Sequence, residues 1–297
     1  MEIRKRKRSR KDIIFDTIIA IFLIGFVIVT LYPIINTVAI SLNDGVDATR
    51  GGIHLLPRKF TLQNYKTVLS NPNLGQAAFI SVARTVIGTV LSVFLTAMLA
   101  YVVSRKEFLY KKQVSFIYVL TMYVSGGMIP SYLLIKELHL LNNFWVYIIP
   151  GLISAFNMIV IRTFINGIPY SLIESAKIDG AGDFRIFIQI VLPLCKPVLA
   201  TVALFVAVGQ WNSWFDSMLY CSGDSSLTTL QYELMKLLSS TSTKNASVDI
   251  MKNASNMVTP KSIRAAITIV TAIPIVCLYP FLQRYFVSGL TIGGVKE

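Results

Sequence analysis

Long apolar stretches separated by polar segments dominate the chain. Six stretches are mostly apolar over about 20 residues, the length that an α-helix needs to cross a bilayer. They cover residues 13–40, 79–103, 114–135, 144–161, 198–221 and 263–286. This pattern predicts an all-α polytopic membrane protein with six transmembrane helices, whose membrane domain is residues 13–286.

The composition supports a membrane protein. Of the 297 residues, 54% are hydrophobic and 14% are charged, and the mean hydropathy is +0.62. A soluble domain has about 25% charged residues, so the composition argues against a soluble enzyme, a disordered chain and a secreted disulfide scaffold. Because Cys195, Cys221 and Cys277 show no paired spacing, we expect neither a disulfide nor a metal site.

The basic residues predict an orientation. The net charge is +13, and seven basic residues lie in residues 1–12, directly before the first apolar stretch. This arrangement favours a cytoplasmic, membrane-surface segment over a nucleic-acid-binding arm. With that end inside, the inner segments carry 17 basic residues and the longer outer segments carry ten. We therefore expect residues 1–12 and a tail at residues 287–297 to be cytoplasmic.

The segment at residues 168–193, between the fourth and fifth apolar stretches, is too long for a simple turn. Ser171 and Glu174 have the spacing of a capping box at the start of a helix. Gly180 and Gly182 predict a break. The expected unit is a helix–glycine–helix knob in the cytoplasm, suited to dock in a groove of another protein.

The second helix of this knob is predicted to begin at Asp183, which is its expected N-cap. Leu192-Pro193 is expected to end the helix before the membrane. Four residues at helical spacing are expected to form one apolar face: Phe184, Phe187, Ile188 and Val191.

The same segment resembles the EAA motif of permease subunits of bacterial ABC importers. The matching positions are Glu174, Ser175, Ala176, Gly180, Ile190, Leu192 and Pro193, with Ser175 where the motif usually has alanine. The run Ala-Lys-Ile-Asp-Gly-Ala at residues 176–181 and the run Gln-Trp-Asn-Ser-Trp-Phe at 210–215 resemble the carbohydrate-importing branch. Within that branch the chain is similar to maltose-permease G-type subunits, and more so to the complex-polysaccharide permeases of Firmicutes.

The resemblance implies the type I ABC importer permease fold, with residues 168–193 as a coupling helix seated in a cleft of an ATP-hydrolysing subunit. By analogy, Glu174 contacts a basic group of the ATPase. Ala176 and Gly180 allow close helix packing, and Asp179 caps or pairs locally. The alternative is that Glu174 only closes the capping box and the glycines only make the turn.

The resemblance also implies partners. These are a second homologous permease, two ATPase subunits, an extracytoplasmic sugar-binding protein and membrane lipid, without nucleic acid. The sequence has no Gly-x-x-x-x-Gly-Lys-Ser/Thr loop, so ATP and Mg²⁺ are expected on the ATPase subunits, with no cofactor, metal or catalytic residue here. The Gly-rich tail with Gly289, Gly293 and Gly294 is either a flexible segment that reaches the ATPases or a frayed end.

Polar and aromatic residues in the apolar stretches are candidates to line a substrate path. Sugars stack on aromatic rings and hydrogen-bond to amides, and such groups are costly at membrane depth unless they face protein or water. The candidates are Tyr123, Asn157, Trp211, Asn212, Trp214 and Asp216. For the fifth stretch the alternative is an aromatic belt at the outer interface.

Two further features of the apolar stretches leave alternatives open. Gly126, Gly127 and Pro130 predict either a hinge or close helix packing. Arg84 is expected to pair with a partner helix or to reach the interface rather than to bind a neutral sugar.

Three alternative functions are an importer subunit for another solute, a secondary carrier and a membrane-embedded enzyme. An enzyme should cluster acidic residues or His at membrane depth, and a carrier should have paired repeats with buried ionisable groups, and neither pattern is apparent. We therefore predict a permease subunit of an ATP-driven importer for an oligosaccharide or polysaccharide in the bacterial plasma membrane.

Overall fold

The computed structural model describes residues 10–70, 72–240 and 258–294. In these ranges the regular structure is helical, with one isolated antiparallel bridge between Asn43 and Phe60. The chain divides into two units, Met1–Ser70 with Ser240–Val270 and Asn71–Ser239 with Thr271–Glu297. An all-α fold is what the spacing of the apolar residues predicts.

The first unit contains one long apolar helix and a folded polar loop. Its helices are α1 (Arg10–Ser41), α2 (Gly45–Thr49), α3 (Gln63–Leu69) and the first part of α14 (Pro260–Gly294). None of the most apolar window of α1 is buried. Because a helix that is apolar on every side is unfavourable in water, this exposure indicates a lipid or protein surround.

Buried amides hold the loop of the first unit together. The Asn64 side chain donates to the carbonyl oxygens of Ser41 and Asn43, at 2.9 and 2.8 Å, and accepts a 2.8 Å bond from Ser262 Oγ. Asn43 and Asn64 are fully buried. Since buried polar groups must be hydrogen-bonded, these contacts explain how so polar a loop folds compactly.

The second unit contains ten further helices among the described residues. They are α4 (Pro72–Ser104), α5 (Lys111–Tyr123), α6 (Met128–Glu137), α7 (Ala155–Asn166), α8 (Ser171–Ile178), α9 (Asp183–Ile186), α10 (Leu192–Leu194), α11 (Lys196–Asn212), α12 (Phe215–Tyr220) and α13 (Leu230–Ser240). Short 3₁₀ helices lie at Phe144–Tyr147, Ile149–Gly151 and Ser225–Leu227, and a π turn at Phe187–Val191 joins α9 to α10. The longest of these helices is α4, and it packs on both α7 and α11.

Three single helices are long and apolar enough to cross a membrane: Ile13–Ser41, Asn73–Ser104 and Pro260–Cys277. Three further candidates are bent pairs: Lys111–Tyr123 with Met128–Glu137 at 119°, Phe144–Gly151 with Ala155–Asn166 at 49°, and Asp183–Leu194 with Lys196–Asn212 at 83°. These apolar helices are those of a membrane protein. The described residues thus hold three spans, or up to six if each bent pair crosses once.

The interruption predicted at Gly126 and Gly127 is found as a full break in the helix, with a bend of 119°. The chain leaves the helix at Tyr123 and re-enters it at Met128, and Gly127 has a φ of +87°, which side-chain-bearing residues rarely adopt. A Cβ added to Gly127 would meet no atom within 4 Å. Gly127 therefore serves the backbone conformation and not close packing.

The C-terminal region is more helical than the sequence predicts. The backbone of α14 remains helical to Gly294, so residues 287–294 are not an irregular tail. Isolated glycines each cost a helix only about 1 kcal/mol, which the continuing helix tolerates. Residues 1–9 and 295–297, which hold most of the predicted basic N-terminus and the end of the predicted tail, lie outside the described ranges.

Candidate functional site

Residues 168–193 form two short helices joined by a tight turn, as predicted. The first, α8, ends at Ile178, and the second begins at Asp183 and continues through the π turn to Leu194. The second helix was predicted to end at Leu192-Pro193, and it ends at Leu194. Pro193 lies two residues after the π turn, and the sharp change of direction falls at Cys195.

Gly180 ends α8 in a Schellman arrangement. Its N–H bonds the carbonyl of Lys177 at 3.0 Å, and the N–H of Ala181 bonds the carbonyl of Ala176 at 2.9 Å. The φ of Gly180 is +79°, while a Cβ there would meet no atom within 4 Å. Gly180 is therefore needed for its left-handed conformation, and the close packing expected of it is not what the structure uses.

The start of α8 differs from the predicted capping box. Tyr170 is the N-cap and makes no side-chain cap bond, and Ser171 is the first helical residue. Ser175 Oγ donates to the Ser171 carbonyl at 2.8 Å, and the Glu174 side chain is exposed. The capping-box role proposed for Glu174 is therefore wrong, because Ser171 is already inside the helix.

The second helix presents a different face from the one expected. Phe187 and Val191 are buried, but Phe184 is 65% exposed and Ile188 is exposed, while Ile186 takes a buried place. The π turn lengthens the repeat beyond 3.6 residues and so rotates the later residues relative to the earlier ones. The predicted four-residue face is thereby divided between the core and the surface.

The inward side of the 168–193 segment belongs to the largest core of the second unit. Ile173, Ala176 and Ile186 are buried there with residues of α4, α7 and α11. The Phe187 ring lies 5.4 Å from the Tyr101 ring of α4, between centroids. Small Ala176 at this contact agrees with the close packing expected of it, and the segment is fixed to α4 rather than attached by a loop alone.

The remaining motif positions lie on the rim of this core or at the surface. Ile190 and Leu192 are partly buried and pack against the core, and Pro193 is exposed. Asp179 is the C-cap residue of α8, with an exposed side chain.

The loop between α4 and α5 binds this segment through charges. Glu107 Oε1 accepts hydrogen bonds from Lys177 Nζ and from Tyr170 Oη, both at 2.8 Å. Arg105 pairs with Glu107 at 3.6 Å and with Asp183 at 3.1 Å. The hydrogen bond from Lys177, followed by a backbone bond and that from Tyr170, lowers the pKa of Glu107 from 4.5 to about 2, so Glu107 is ionised at neutral pH.

A second polar cluster surrounds Arg84 of α4. This side chain is 2% exposed and is bound to both carboxylate oxygens of Asp216, with Nη1 to Oδ1 at 3.1 Å. It also donates to Gln210 Oε1 at 2.9 and 3.0 Å and to the Ser213 carbonyl at 3.4 Å. Its guanidinium lies 4.4 Å above the Tyr147 ring. Arg84 therefore neutralises the acid and holds the break between α11 and α12.

The two clusters lie far apart on one helix. Since an α-helix rises about 1.5 Å per residue, the stretch of α4 from Arg84 to Ser104 spans about 30 Å, the thickness of a bilayer core. Arg105 directly follows that helix. The Arg84 cluster, in the first half of α4, and the 168–193 segment, beside its C-terminal end, are thus separated by about 30 Å along the helix.

Trp211 closes one side of an apolar cleft of about 330 Å³. The lining residues come from α4, α11 and α14, and they include Val86, Val208 and Pro274. Trp211 is 8% exposed, and its indole N–H donates to the Thr271 carbonyl at 3.0 Å. The indole nitrogen is therefore already satisfied within the protein.

The sequence matches the family model described as "Binding-protein-dependent transport system inner membrane component" over residues 87–292. That range includes the 168–193 segment, α11 and α12 and covers more than half of the chain. The chain belongs to this family. The EAA-motif resemblance is thereby confirmed at the level of the family, and the family is one of transport components and not of enzymes.

Individual relatives of this binding-protein-dependent transport component carry carbohydrate names. The polygalacturonan/rhamnogalacturonan transport system permease protein YtcP of Bacillus subtilis (strain 168) is 37% identical over 286 residues, which are 96% of this chain and 99% of the relative. The similarity to polysaccharide permeases of Firmicutes, inferred from the motifs, is confirmed.

Solved structures agree with the fold. A chain of a bacterial ABC transporter involved in the import of the acidic polysaccharide alginate superimposes with a TM-score of 0.88 at 30% identity, over 95% of this chain and all of that chain. A chain of the alginate transporter in complex with an alginate pentasaccharide-bound periplasmic protein gives a TM-score of 0.62 at 16% identity over 94% and 96%, which supports the fold alone. The fold is that of an ABC importer permease.

The substrate-path candidates of this transport component occupy three places. Trp211, Asn212, Trp214 and Asp216 lie together at the end of α11 and the start of α12. Tyr123 ends α5 and is exposed, and Asn157 is buried on α7. Within the described residues no hydrogen bond or ring contact joins Tyr123 or Asn157 to the others. The path role of all six residues stays a prediction.

Sequence reasoning missed the residues that bind the 168–193 segment to the loop after α4. Arg105, Glu107 and Tyr170 were not singled out, whereas the expected pairing of Arg84 with another helix is found, with Asp216 of α12. An acidic residue in the basic loop Arg105-Lys106-Glu107 was the one available signal, because a lone acid among cations often has a specific partner. Nothing local to the sequence identifies Lys177 as that partner.

Proposed function

We propose that this chain is a permease subunit of an ATP-driven ABC importer for an oligosaccharide or polysaccharide. It forms half of the translocation path together with a second homologous permease. Two separate ATPase subunits bind ATP and Mg²⁺, and an extracytoplasmic sugar-binding protein delivers the substrate. The carbohydrate names of the relatives and the 0.88 TM-score to a chain of the alginate importer support this function.

The proposed topology has six spans with both termini in the cytoplasm of a bacterial cell. Each bent helix pair then counts as one crossing, and the basic residues are in excess on the inner side. In this orientation the 168–193 segment faces the cytoplasm, and the Arg84 cluster lies near the outer surface.

The observation that carries the proposal is the exposed surface of the 168–193 segment. Ile178 is 86% exposed and Phe184 is 65% exposed, on either side of the Gly180 turn, while exposed Glu174 adds an acidic group. The opposite side of the same segment is fixed in the core with Ala176 and Phe187. An apolar surface on a rigid support, next to a charge, suits a groove in another protein.

In this proposal the segment transmits motion. The ATPase subunits close on ATP and carry the segment with them, and the permease helices then alternate between inward-facing and outward-facing states. Glu174 pairs with a basic group of the ATPase, while Ile178 and Phe184 occupy its cleft.

Loss of the exposed apolar group tests the docking role. We expect Ile178→Asp to weaken association with the ATPase subunits by about tenfold or more, because a charge replaces an apolar contact at the centre of the interface. The measurement is the amount of ATPase that co-purifies with the tagged permease in detergent. Leu138→Asp is the matched control, since Leu138 is also an exposed apolar residue but follows α6.

Co-purification of the ATPase at the wild-type level with Ile178→Asp would contradict docking through this segment. An equal loss with Leu138→Asp would also contradict it, because the effect would then not be specific to the segment.

A further inference from the structure

We propose that Glu107 and Arg105, in the loop after α4, are positioning residues that hold the two helices of the 168–193 segment in a fixed relative orientation. We call these two residues with Lys177 and Asp183 the charge clamp. This inference rests on the proposed function, because the role of the clamp is to transmit the movement of the ATPase to the membrane helices.

The charges of the clamp alternate along a continuous chain. Lys177 binds Glu107 at 2.8 Å, Glu107 pairs with Arg105 at 3.6 Å, and Arg105 binds Asp183 at 3.1 Å. Each charge thus has a neighbour of opposite sign. Because a network of charges is worth more than the same pairs in isolation, this geometry favours one orientation of the loop and the segment.

The clamp spans the turn that joins the two helices. Lys177 lies in the last turn of α8, and Asp183 is the first residue of α9, so Gly180 lies between the two attachment points. A cation near a helix C-terminus and an anion at a helix N-terminus are also the favourable placements for the helix dipoles. The α4–α5 loop therefore contacts both helices, one on each side of the Gly180 turn.

Further contacts, one of them buried, support the clamp. Arg105 is buried, and its guanidinium lies 5.3 Å from the centre of the Tyr101 ring on α4. Tyr170, the N-cap of α8, donates its hydroxyl to Glu107, and Lys106 Nζ lies 4.2 Å above the Tyr170 ring. The loop thus contacts the start and the end of α8 as well as the start of α9.

The clamp has a consequence for transport. Without it, α8 and α9 remain attached to the core but change their mutual angle more easily at Gly180. The ATPase can then move the segment without moving α4. We therefore expect loss of the clamp to uncouple ATP hydrolysis from uptake, while assembly with the ATPase is retained.

The test uses the whole importer in proteoliposomes with Glu107→Gln, Lys177→Gln and the double variant. The measured quantity is the number of ATP molecules hydrolysed per sugar molecule taken up. Each single change is expected to raise this ratio about two- to fivefold, the range for loss of a partly exposed ion pair. The double variant is expected to match Glu107→Gln, because that single change already removes the Lys177–Glu107 contact.

Matched controls separate the clamp from a general loss of surface charge. Glu137→Gln removes an exposed carboxylate from the end of α6, and Lys112→Gln removes an exposed cation from the start of α5. Both controls are expected to keep the wild-type ratio, and all variants are expected to co-purify with the ATPase at the wild-type level.

Three results would overturn the inference. The first is a wild-type ratio in Glu107→Gln and Lys177→Gln, and the second is effects that multiply in the double variant. The third is loss of the ATPase from the purified complex, which would assign Glu107 to the docking surface itself. Absence of ATP-driven uptake by the wild-type importer would instead overturn the proposed function and this inference with it.

Discussion

At the residue scale, Gly180 and Gly182 lie in the same turn but have different backbone conformations. Gly180 has a φ of +79°, whereas Gly182 has a φ of −69°, which any L-residue can adopt. At neither position would a Cβ meet an atom within 4 Å. The two glycines therefore differ in backbone conformation and not in available space, which makes them a matched pair for substitution.

We predict that Gly180→Pro abolishes ATP-coupled uptake, while Gly182→Ala leaves it unchanged. Proline fixes φ near −65° and removes the N–H that bonds the Lys177 carbonyl at 3.0 Å, so α8 cannot end as it does. Gly180→Ala is expected to cost about 1 kcal/mol and to give an intermediate effect. The checks are membrane insertion, judged by immunoblotting, and substrate-stimulated ATPase activity of the purified complex.

Retention of substrate-stimulated ATPase activity by Gly180→Pro would contradict this account of the turn. Equal losses in Gly180→Ala and Gly182→Ala would also contradict it, because the two sites would then not differ by φ.

Side-chain partners are the part of the site that the sequence predicted least. The glycine turn and the exposed Glu174 follow from local patterns of the chain. Two of the three pairs of the charge clamp join residues that are 70 and 78 positions apart, and only the packing of α4 against the segment brings them together. Local spacing carries no information about such pairs, so their identity emerged from the structure.

At the element scale, breaks in the helices mark the places where the apolar pattern did not predict the path of the chain. The long helices α1, α4 and α14 were found near their predicted positions, because a continuous apolar run determines them. The third and fourth stretches are interrupted by bends of 119° and 49°. The fifth is broken between α11 and α12, and a bend of 83° at Cys195 precedes it. Average hydropathy does not register a change of direction, since the residues on both sides are equally apolar.

The π turn at Phe187–Val191 illustrates the same limit on a smaller scale. The prediction of one apolar face assumed 3.6 residues per turn throughout, and a single wider turn redistributed its members. Phe184 and Ile188 remained on the surface, and Phe184 belongs to the proposed docking surface.

The break between α11 and α12 depends on the Arg84–Asp216 pair. We predict that Asp216→Ala lowers the free energy of unfolding by about 3 kcal/mol, because it leaves the buried Arg84 charge without its main partner. The double variant Arg84→Met with Asp216→Leu should lose less, since no unpaired charge is left in the apolar surround. The measurement is thermal unfolding of the detergent-solubilised protein.

Glu137→Gln, at an exposed position, is the control for loss of an acid and should unfold as the wild type does. A double variant less stable than Asp216→Ala would show that the pair is not held mainly by charge compensation.

At the scale of the whole molecule, α4 connects the two polar clusters of the second unit. Arg84 binds the break in α11 and α12, and about 30 Å further along, Arg105 and Glu107 bind the 168–193 segment. In the proposed orientation these are the outer and the cytoplasmic sides of one membrane domain. A movement imposed at the cytoplasmic segment therefore has a continuous helical route to the polar residues of the predicted path.

Apolar content, helical architecture and membership of the transport family were all accessible from the sequence, because they depend on composition and on one spaced motif. The carbohydrate class was also predicted, from the resemblance of residues 176–181 and 210–215, and the relatives and the solved alginate importer support it. Trp211 and Asp216, two of the predicted path residues, have hydrogen-bond partners within the protein.

The most direct test of the central claim is uptake by the reconstituted importer. The permease, its sister permease, the ATPase subunits and the binding protein are incorporated into proteoliposomes and offered a panel of labelled oligosaccharides that includes oligogalacturonides. We predict accumulation of at least one oligosaccharide that requires ATP, Mg²⁺ and the binding protein together. Accumulation without ATP, or ATP-dependent uptake of a non-carbohydrate solute with no oligosaccharide transported, would contradict the account.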